Sequence, residues 1–339
     1  MVTSNTQPLL SVLNLRIEFP TRRGTLVAVD DISFNIAPGE ILGVVGESGA
    51  GKSLTGAAII RLLEPPGRIV QGQVLLEGQR IDNLPYEEMR KIRGRRIGAI
   101  FQDPLTSLNP LYSVGRQLIE TIQTHLPLSD REARDRALEL LEEVGIPSAA
   151  ERIGHYPHQF SGGMRQRVVI ALALCAEPRL IIADEPTTAL DVTIQAQILD
   201  LLKELQNKHD MSVILITHNL GIVSGYTDDV AVMYAGKIVE KCSTDELISN
   251  PIMPYTEALM NSAPSLAYAP HTRLQAIPGL PPNLLNLPEG CSFQSRCNYK
   301  EEKCSSYAPD LTTIKDQDHK FACWYPLDFS GTKEPLNNA

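Results

Sequence analysis

Apolar positions along the chain follow two periods. Over residues 9–36 they alternate with polar ones, first in Leu10-Ser11-Val12-Leu13-Asn14-Leu15-Arg16-Ile17 and again from Val27-Ala28-Val29 to Ile36, around the polar turn Thr21-Arg22-Arg23-Gly24. A period of two on both sides of a short turn predicts two paired strands. Pro38-Gly39-Glu40 then turns the chain into Ile41-Leu42-Gly43-Val44-Val45, a continuous apolar run of buried-strand type, and residues 54–63 read as a helix. Gly72 to Leu76, followed by Gly78, predicts another hairpin. From Tyr86 to about Tyr156 the pattern is helical and more charged, with Ala133, Ala137, Leu138, Leu141 and Val144 on one face of a helix over residues 131–144. Three further apolar runs have strand length: Ile97-Gly98-Ala99-Ile100-Phe101, Leu180-Ile181-Ile182-Ala183 and Val213-Ile214-Leu215-Ile216. The expectation is an α/β fold with a helical insertion.

The residues at the ends of these runs carry chemistry. Gly46-Glu47-Ser48-Gly49-Ala50-Gly51-Lys52-Ser53 fits G-x-x-x-x-G-K-[ST] at every fixed position, between a strand and a helix as that motif requires. Its glycines let successive N–H groups turn inward on phosphate oxygens, with the positive end of the helix behind them. Lys52 is placed to reach the β and γ phosphates and Ser53 to hold Mg²⁺. The plain alternative, a glycine-rich turn with a chance lysine, does not account for the strand-loop-helix order. Phe19 is a candidate to stack on an adenine ring, or else an edge-strand aromatic. Gln102, just past a strand's carboxyl end, can reach a metal-bound water or the ion. Ser161-Gly162-Gly163 opens an apolar helix over residues 168–175, either as an anion site or as an ordinary cap. Asp184 and Glu185 follow four apolar residues directly. Asp184 suits Mg²⁺ through water, and Glu185 suits a general base acting on an attacking water. His218, at the end of the run 213–216, is able to contact a γ-phosphate.

Composition narrows the classes. The 339 residues hold one large α/β domain with an appendage, or two modest domains, and a net charge of −9 argues against non-specific binding to nucleic acid. No apolar run approaches the roughly 18–20 residues that cross a bilayer, and residues 1–7 are polar and uncharged, unlike a signal peptide. The expectation is a cytosolic protein whose membrane role comes through a partner. Cys175 sits in an apolar helical stretch as a small buried hydrophobe, and Cys242 follows a predicted strand. Cys291, Cys297, Cys304 and Cys323 lie in the last fifth of the chain, separated by five, six and eighteen residues. Cytosolic thiols stay reduced, so the four favour a metal site over disulfides. Arg296, Lys300 and Lys303 among them favour thiolates, although charges on a polar loop are ordinarily just solvated.

The phosphate loop, Gln102, the Ser-Gly-Gly signature, the Asp-Glu strand end, the Ala189-Leu190-Asp191 loop and His218 resemble, in order and spacing over about residues 9–250, the nucleotide-binding subunit of ATP-binding-cassette (ABC) transporters. The resemblance implies a P-loop NTPase core with an antiparallel β subdomain and a helical subdomain over about residues 86–165. It implies a sandwich dimer in which ATP is gripped between the phosphate loop of one subunit and Ser161, Gly162 and Gly163 of the other. Asp191 then crosses the interface, and Gln102 senses nucleotide and couples to the transmembrane partner. Met164 stands where many members have Gln, as in the peptide-importer branch, and Asn219 follows the histidine where Asp is usual. Asn250-Pro251-Ile252-Met253-Pro254-Tyr255-Thr256-Glu257-Ala258-Leu259, Ile277-Pro278-Gly279-Leu280-Pro281-Pro282 and Gly290-Cys291 resemble the C-terminal extension of dipeptide, oligopeptide and nickel importer ATPases, here residues 251–339.

That resemblance points to a 4Fe-4S cluster on Cys291, Cys297, Cys304 and Cys323. Structural Zn²⁺ satisfies four thiolates equally, with His319 able to replace one, although the C-x2-C pairs of zinc ribbons are missing. The partners implied are two transmembrane permease subunits, a second and non-identical ABC ATPase, and indirectly an extracytoplasmic solute-binding protein, with no nucleic acid. The place implied is the cytoplasmic face of the inner membrane, and the activity is ATP hydrolysis driving import of peptides, nickel or another small solute. A soluble cassette in DNA repair or translation is the alternative of a different class. Such relatives carry two cassettes or a long coiled coil, and this chain has one phosphate loop and no heptad run.

Overall fold

A computed structural model describes residues 7–188, 190–262, 276–314 and 318–327. Residues 1–6 of the polar amino terminus and Ala189 lie outside them. The chain divides into two compact units, residues 1–82 with 217–339, and Asn83–Ile216.

In the first unit the alternating stretches form the expected hairpin. Strands Leu10–Thr21 and Gly24–Ile36 are antiparallel and close at Thr21 opposite Gly24. Arg68–Leu76 pairs on the other side of Leu10–Thr21 and turns at Gly78 into Gln79–Arg80, which completes a four-stranded antiparallel sheet. The continuous run at Ile41–Val45 is buried at all five positions and lies parallel to Asp229–Tyr234. Lys237–Ser243, Lys320–Phe321 and Thr312–Thr313 follow outward in antiparallel order. The helix predicted over residues 54–63 spans Lys52–Ile59, because Arg61 just beyond it turns left-handed at φ 53°. Cys242 lies within a strand rather than after one.

The second unit carries a parallel sheet. Ile97–Ile100 pairs with Leu180–Asp184, and Leu180–Asp184 with the strand beginning at Ser212. Helix Gly162–Leu174 packs so tightly on the first of these strands that a Cβ at Gly98 would come 2.5 Å from the Ala173 carbonyl oxygen. The helical insertion holds Val114–His125 and Asp130–Glu143. Ser129 caps the latter, its hydroxyl accepting from the Glu132 amide while the Glu132 carboxylate accepts from the Ser129 amide. Its buried face is Ala133, Ala137, Leu140 and Leu141, so Leu140 takes the place expected of Leu138. Among the described residues no helix is long and apolar enough to cross a membrane.

Candidate functional site

The phosphate loop follows the buried strand without slack. Gly46 adopts φ 154°, and a Cβ there would fall 2.1 Å from the Met233 carbonyl oxygen. Gly51, at φ 101°, caps helix Lys52–Ile59 where a Cβ would meet the Ala28 carbonyl oxygen at 2.7 Å. Neither position has room for another residue. Lys52 is only 4% exposed, and its ammonium donates to the carbonyls of Gly46 at 2.8 Å and Glu47 at 2.9 Å. The loop is thus folded around its own lysine, with the helix amino terminus directly after it and Ser53 exposed. Phe19 is half-buried, its ring packed against Gly67. His218 is exposed at the end of its strand. Asn219 caps helix Leu220–Tyr226 through its side-chain oxygen, which accepts from the Gly221 amide at 2.9 Å, so the amide serves as a cap in place of the more usual carboxylate.

The second unit carries the carboxylates. Asp184 ends its strand half-buried, and Glu185 follows with a left-handed backbone, φ 46°, its amide donating to the Ile216 carbonyl at 2.9 Å. Such a conformation in a residue with a side chain costs on the order of 1–3 kcal/mol and collects at functional positions. The Glu185 Oε2 accepts from Gln102 Nε2 at 3.0 Å and from the Thr188 hydroxyl at 2.7 Å. Gln102 and Glu185 are therefore brought together as one group, and Thr188 is a member that the sequence reading missed. Ser161 caps helix Gly162–Leu174 by accepting from the Met164 amide. A Cβ at Gly163 would come 2.9 Å from Ile194, so the signature turn lies against helix Val192–His209, which Asp191 precedes. Ser161, Gly162 and Asp191 are exposed, and Val192 is 82% exposed.

The four clustered cysteines converge in the first unit. Burial first, then the charges of Cys291, Cys297 and Cys304, push the Cys323 thiol up to about 12. Burial and Cys304 likewise raise Cys291. Their sulfurs are met by backbone donors: Phe293 and Gln294 at Cys291, Tyr299 at Cys297 (3.3 Å) and Tyr325 at Cys323. Cys175 is the buried hydrophobe expected, its thiol raised to about 12 by burial. Arg296 corrects the solvated reading. Its side chain is 3% exposed and grips Glu47 of the phosphate loop. Lys303 lies 3.6 Å from the Trp324 ring centroid.

His319 belongs elsewhere than the thiolate group. Fully buried, it meets Glu240 Oε1 through Nε2 at 2.8 Å, and its Nδ1 stands 3.3 Å from Glu246 Oε1, beside Cys242. Hydrogen-bonded to Glu240 through Nε2 and with Nδ1 facing the Glu246 carboxylate, it does not serve as a substitute ligand among the four cysteines.

Residues 29–188 match the family described as ABC transporter, and residues 239–304 match the oligopeptide/dipeptide transporter C-terminal region. The chain is 50% identical over 317 residues to the oligopeptide transport ATP-binding protein OppD of Bacillus subtilis, covering 93% of this chain and 88% of that one. It is 47% identical over 317 residues to OppD of Haemophilus influenzae, covering 94% and 97%. A solved dimeric ATP-binding cassette, MJ0796 in a post-hydrolysis state bound to ADP and Pi, superposes with TM-score 0.63 at 28% identity over 69% of this chain and 98% of that one.

The buried histidine yields a pH prediction. Burial opposes protonation of His319, but the hydrogen bond to Glu240 and the charges of Glu240 and Glu246 outweigh it and hold its pKa above the ordinary value. A raised folded pKa contributes stability that is fully present below the unfolded value of about 6.5 and lost as pH rises through the folded one. The Tm gap between wild type and His319→Gln is therefore expected to be wider at pH 6 than at pH 9. A gap independent of pH would contradict this.

With both parts of its length matched and near half of its residues identical to two such subunits, the chain belongs to the ABC transporter ATP-binding subunits that carry the oligopeptide/dipeptide transporter C-terminal region.

Proposed function

We propose that this chain hydrolyses ATP to energise the import of di- or oligopeptides through an ABC permease, with residues 1–250 as the cassette and 251–339 as the extension. The observation that carries the chemistry is the strained Glu185, whose carboxylate is oriented by Gln102 and Thr188. The backbone N–H groups of Gly46, Glu47, Ser48, Gly49, Ala50 and Gly51 and the Lys52 ammonium bind the phosphates, and Phe19 stacks on the adenine. Ser53, Asp184 and Gln102 each offer the oxygen ligand that Mg²⁺ prefers and are the residues we assign to it; when bound, the ion would neutralise charge on the transferred phosphoryl group. Glu185 takes the proton of the attacking water, and His218 contacts the γ-phosphate. With amide for carboxylate, Glu185→Gln keeps its size and loses its basicity. Its turnover is expected to fall at least about 100-fold while ATP binding, read by nucleotide titration, persists. Near-wild-type hydrolysis would overturn the assignment.

The pairing follows from what lies exposed. Ser161, Gly162, Asp191 and Val192 present a polar turn beside an apolar residue, which supports closure on a second cassette that completes each ATP site. We read that partner as a non-identical ATPase, the assembly resting on two permease subunits at the cytoplasmic face of the membrane and served by an extracytoplasmic solute-binding protein. Co-expression with a second ATPase of the family is expected to give a complex of two different cassettes. A fully active transporter holding two copies of this chain would refute that part.

The extension is read as holding a 4Fe-4S cluster on Cys291, Cys297, Cys304 and Cys323. The spacing of the four lacks the C-x2-C pairs usual in zinc ribbons. Backbone N–H groups on the sulfurs are a usual device of iron-sulfur sites. The cluster would tie the loops of the extension together. Anaerobically purified protein is expected to be brown, with stoichiometric iron and sulfide, both lost in Cys297→Ser. Colourless wild-type protein containing zinc would overturn the reading.

A further inference from the structure

Glu47 occupies a position of the phosphate loop where the motif accepts any residue, yet its carboxylate lies beside a site for a polyanion. Left alone, that negative charge opposes phosphate binding. The structure neutralises it from the far end of the chain. Arg296 donates from Nη1 to Glu47 Oε2 at 2.6 Å and from Nη2 to Oε1 at 2.8 Å, a bidentate pair. The guanidinium is itself held in place: Nε donates to the Pro278 carbonyl at 2.8 Å, Nη1 also reaches the Tyr234 hydroxyl at 3.3 Å, and the plane lies about 6 Å from the Tyr234 and Phe293 rings. The Tyr255 hydroxyl accepts from the Glu47 amide at 2.9 Å. Tyr234, Tyr255 and Phe293 pack with centroids 4.5–5.4 Å apart, so the two grips on Glu47 share one aromatic support.

We propose that Arg296 is a positioning residue for the nucleotide: by pinning and neutralising the Glu47 carboxylate it holds the phosphate loop in its anion-accepting form, so ATP affinity depends on the docked C-terminal extension. This rests on the reading of residues 46–53 as the ATP site. Arginine is suited to the task because its planar fork matches both carboxylate oxygens, which a lysine ammonium does not. The effect falls on binding and not on the chemical step, since Arg296 touches no group placed in hydrolysis.

The test uses the full chain in complex with its permeases, measuring KM for ATP, kcat and direct ATP titration. Arg296 is buried and Glu47 only partly so, and removing the guanidinium leaves the carboxylate's charge uncompensated beside the loop. Arg296→Ala is therefore expected to raise KM about tenfold with kcat within about twofold, and Arg296→Lys to raise it less. The decisive variant is Arg296→Ala with Glu47→Gln, which removes the stranded charge and is expected to recover most of the lost affinity. A merely structural role for Arg296 predicts no such recovery. Should Arg296→Ala fail to fold, the comparison is made with Arg296→Lys and Arg296→Lys with Glu47→Gln. KM unchanged in the single variants, or a double variant as weak as the single, would overturn the proposal. Failure of the wild-type chain to bind ATP at all would instead sink the underlying reading of the site.

Discussion

A lysine ammonium folded into its own loop is the constraint on which the rest depends. A lysine only 4% exposed is costly unless its ammonium protons find acceptors, and Lys52 finds them in the Gly46 and Glu47 carbonyls. That closure demands a strand end with no side chain at Gly46, where Met233 leaves no space, and a left-handed Gly51 to start the helix. The strand Ile41–Val45 is accordingly buried at every position, and Asp229–Tyr234 lies beside it to supply the Met233 carbonyl. The shape of the loop is thus a consequence of packing in the sheet as much as of its own residues.

The carboxylate group solves a different problem. A parallel strand delivers its terminal residues to one edge of the sheet, and Asp184 and Glu185 use that delivery. Glu185 must then turn away from the strand direction, which the left-handed backbone accomplishes and the Ile216 carbonyl secures. Its side chain accepts from the Gln102 amide and the Thr188 hydroxyl, which orient the carboxylate.

Within the first unit, buried polar contacts join the extension to the strands that precede it. Glu240 lies wholly out of water and accepts from the Ile252 and Met253 amides as well as from His319, so one carboxylate fastens both the entry to helix Pro254–Ser262 and the last strand. Phe293 adds the apolar anchor between Tyr234 and Tyr255. Charges this deep are expensive to leave unpaired, which ties the register of the extension to the cassette more firmly than an apolar seam alone.

Much of the chemistry was legible in the sequence because it is local. A period of two marked the hairpin, continuous apolar runs marked the buried strands, and the residues following those runs, Gly46 to Ser53, Gln102, Asp184, Glu185 and His218, are placed by the strand that precedes each of them. Helix ends were less legible: residues 54–63 shortened to Lys52–Ile59 because a left-handed Arg61 overrode an apolar pattern that continued. What the tertiary structure alone decided were the pairings between distant residues of ordinary appearance. Thr188 on Glu185, His319 between Glu240 and Glu246, and above all Arg296 on Glu47, 249 positions away, leave no periodic trace. An arginine in a polar loop reads as solvated, and only the fold that brings a carboxylate to it makes it a buried partner.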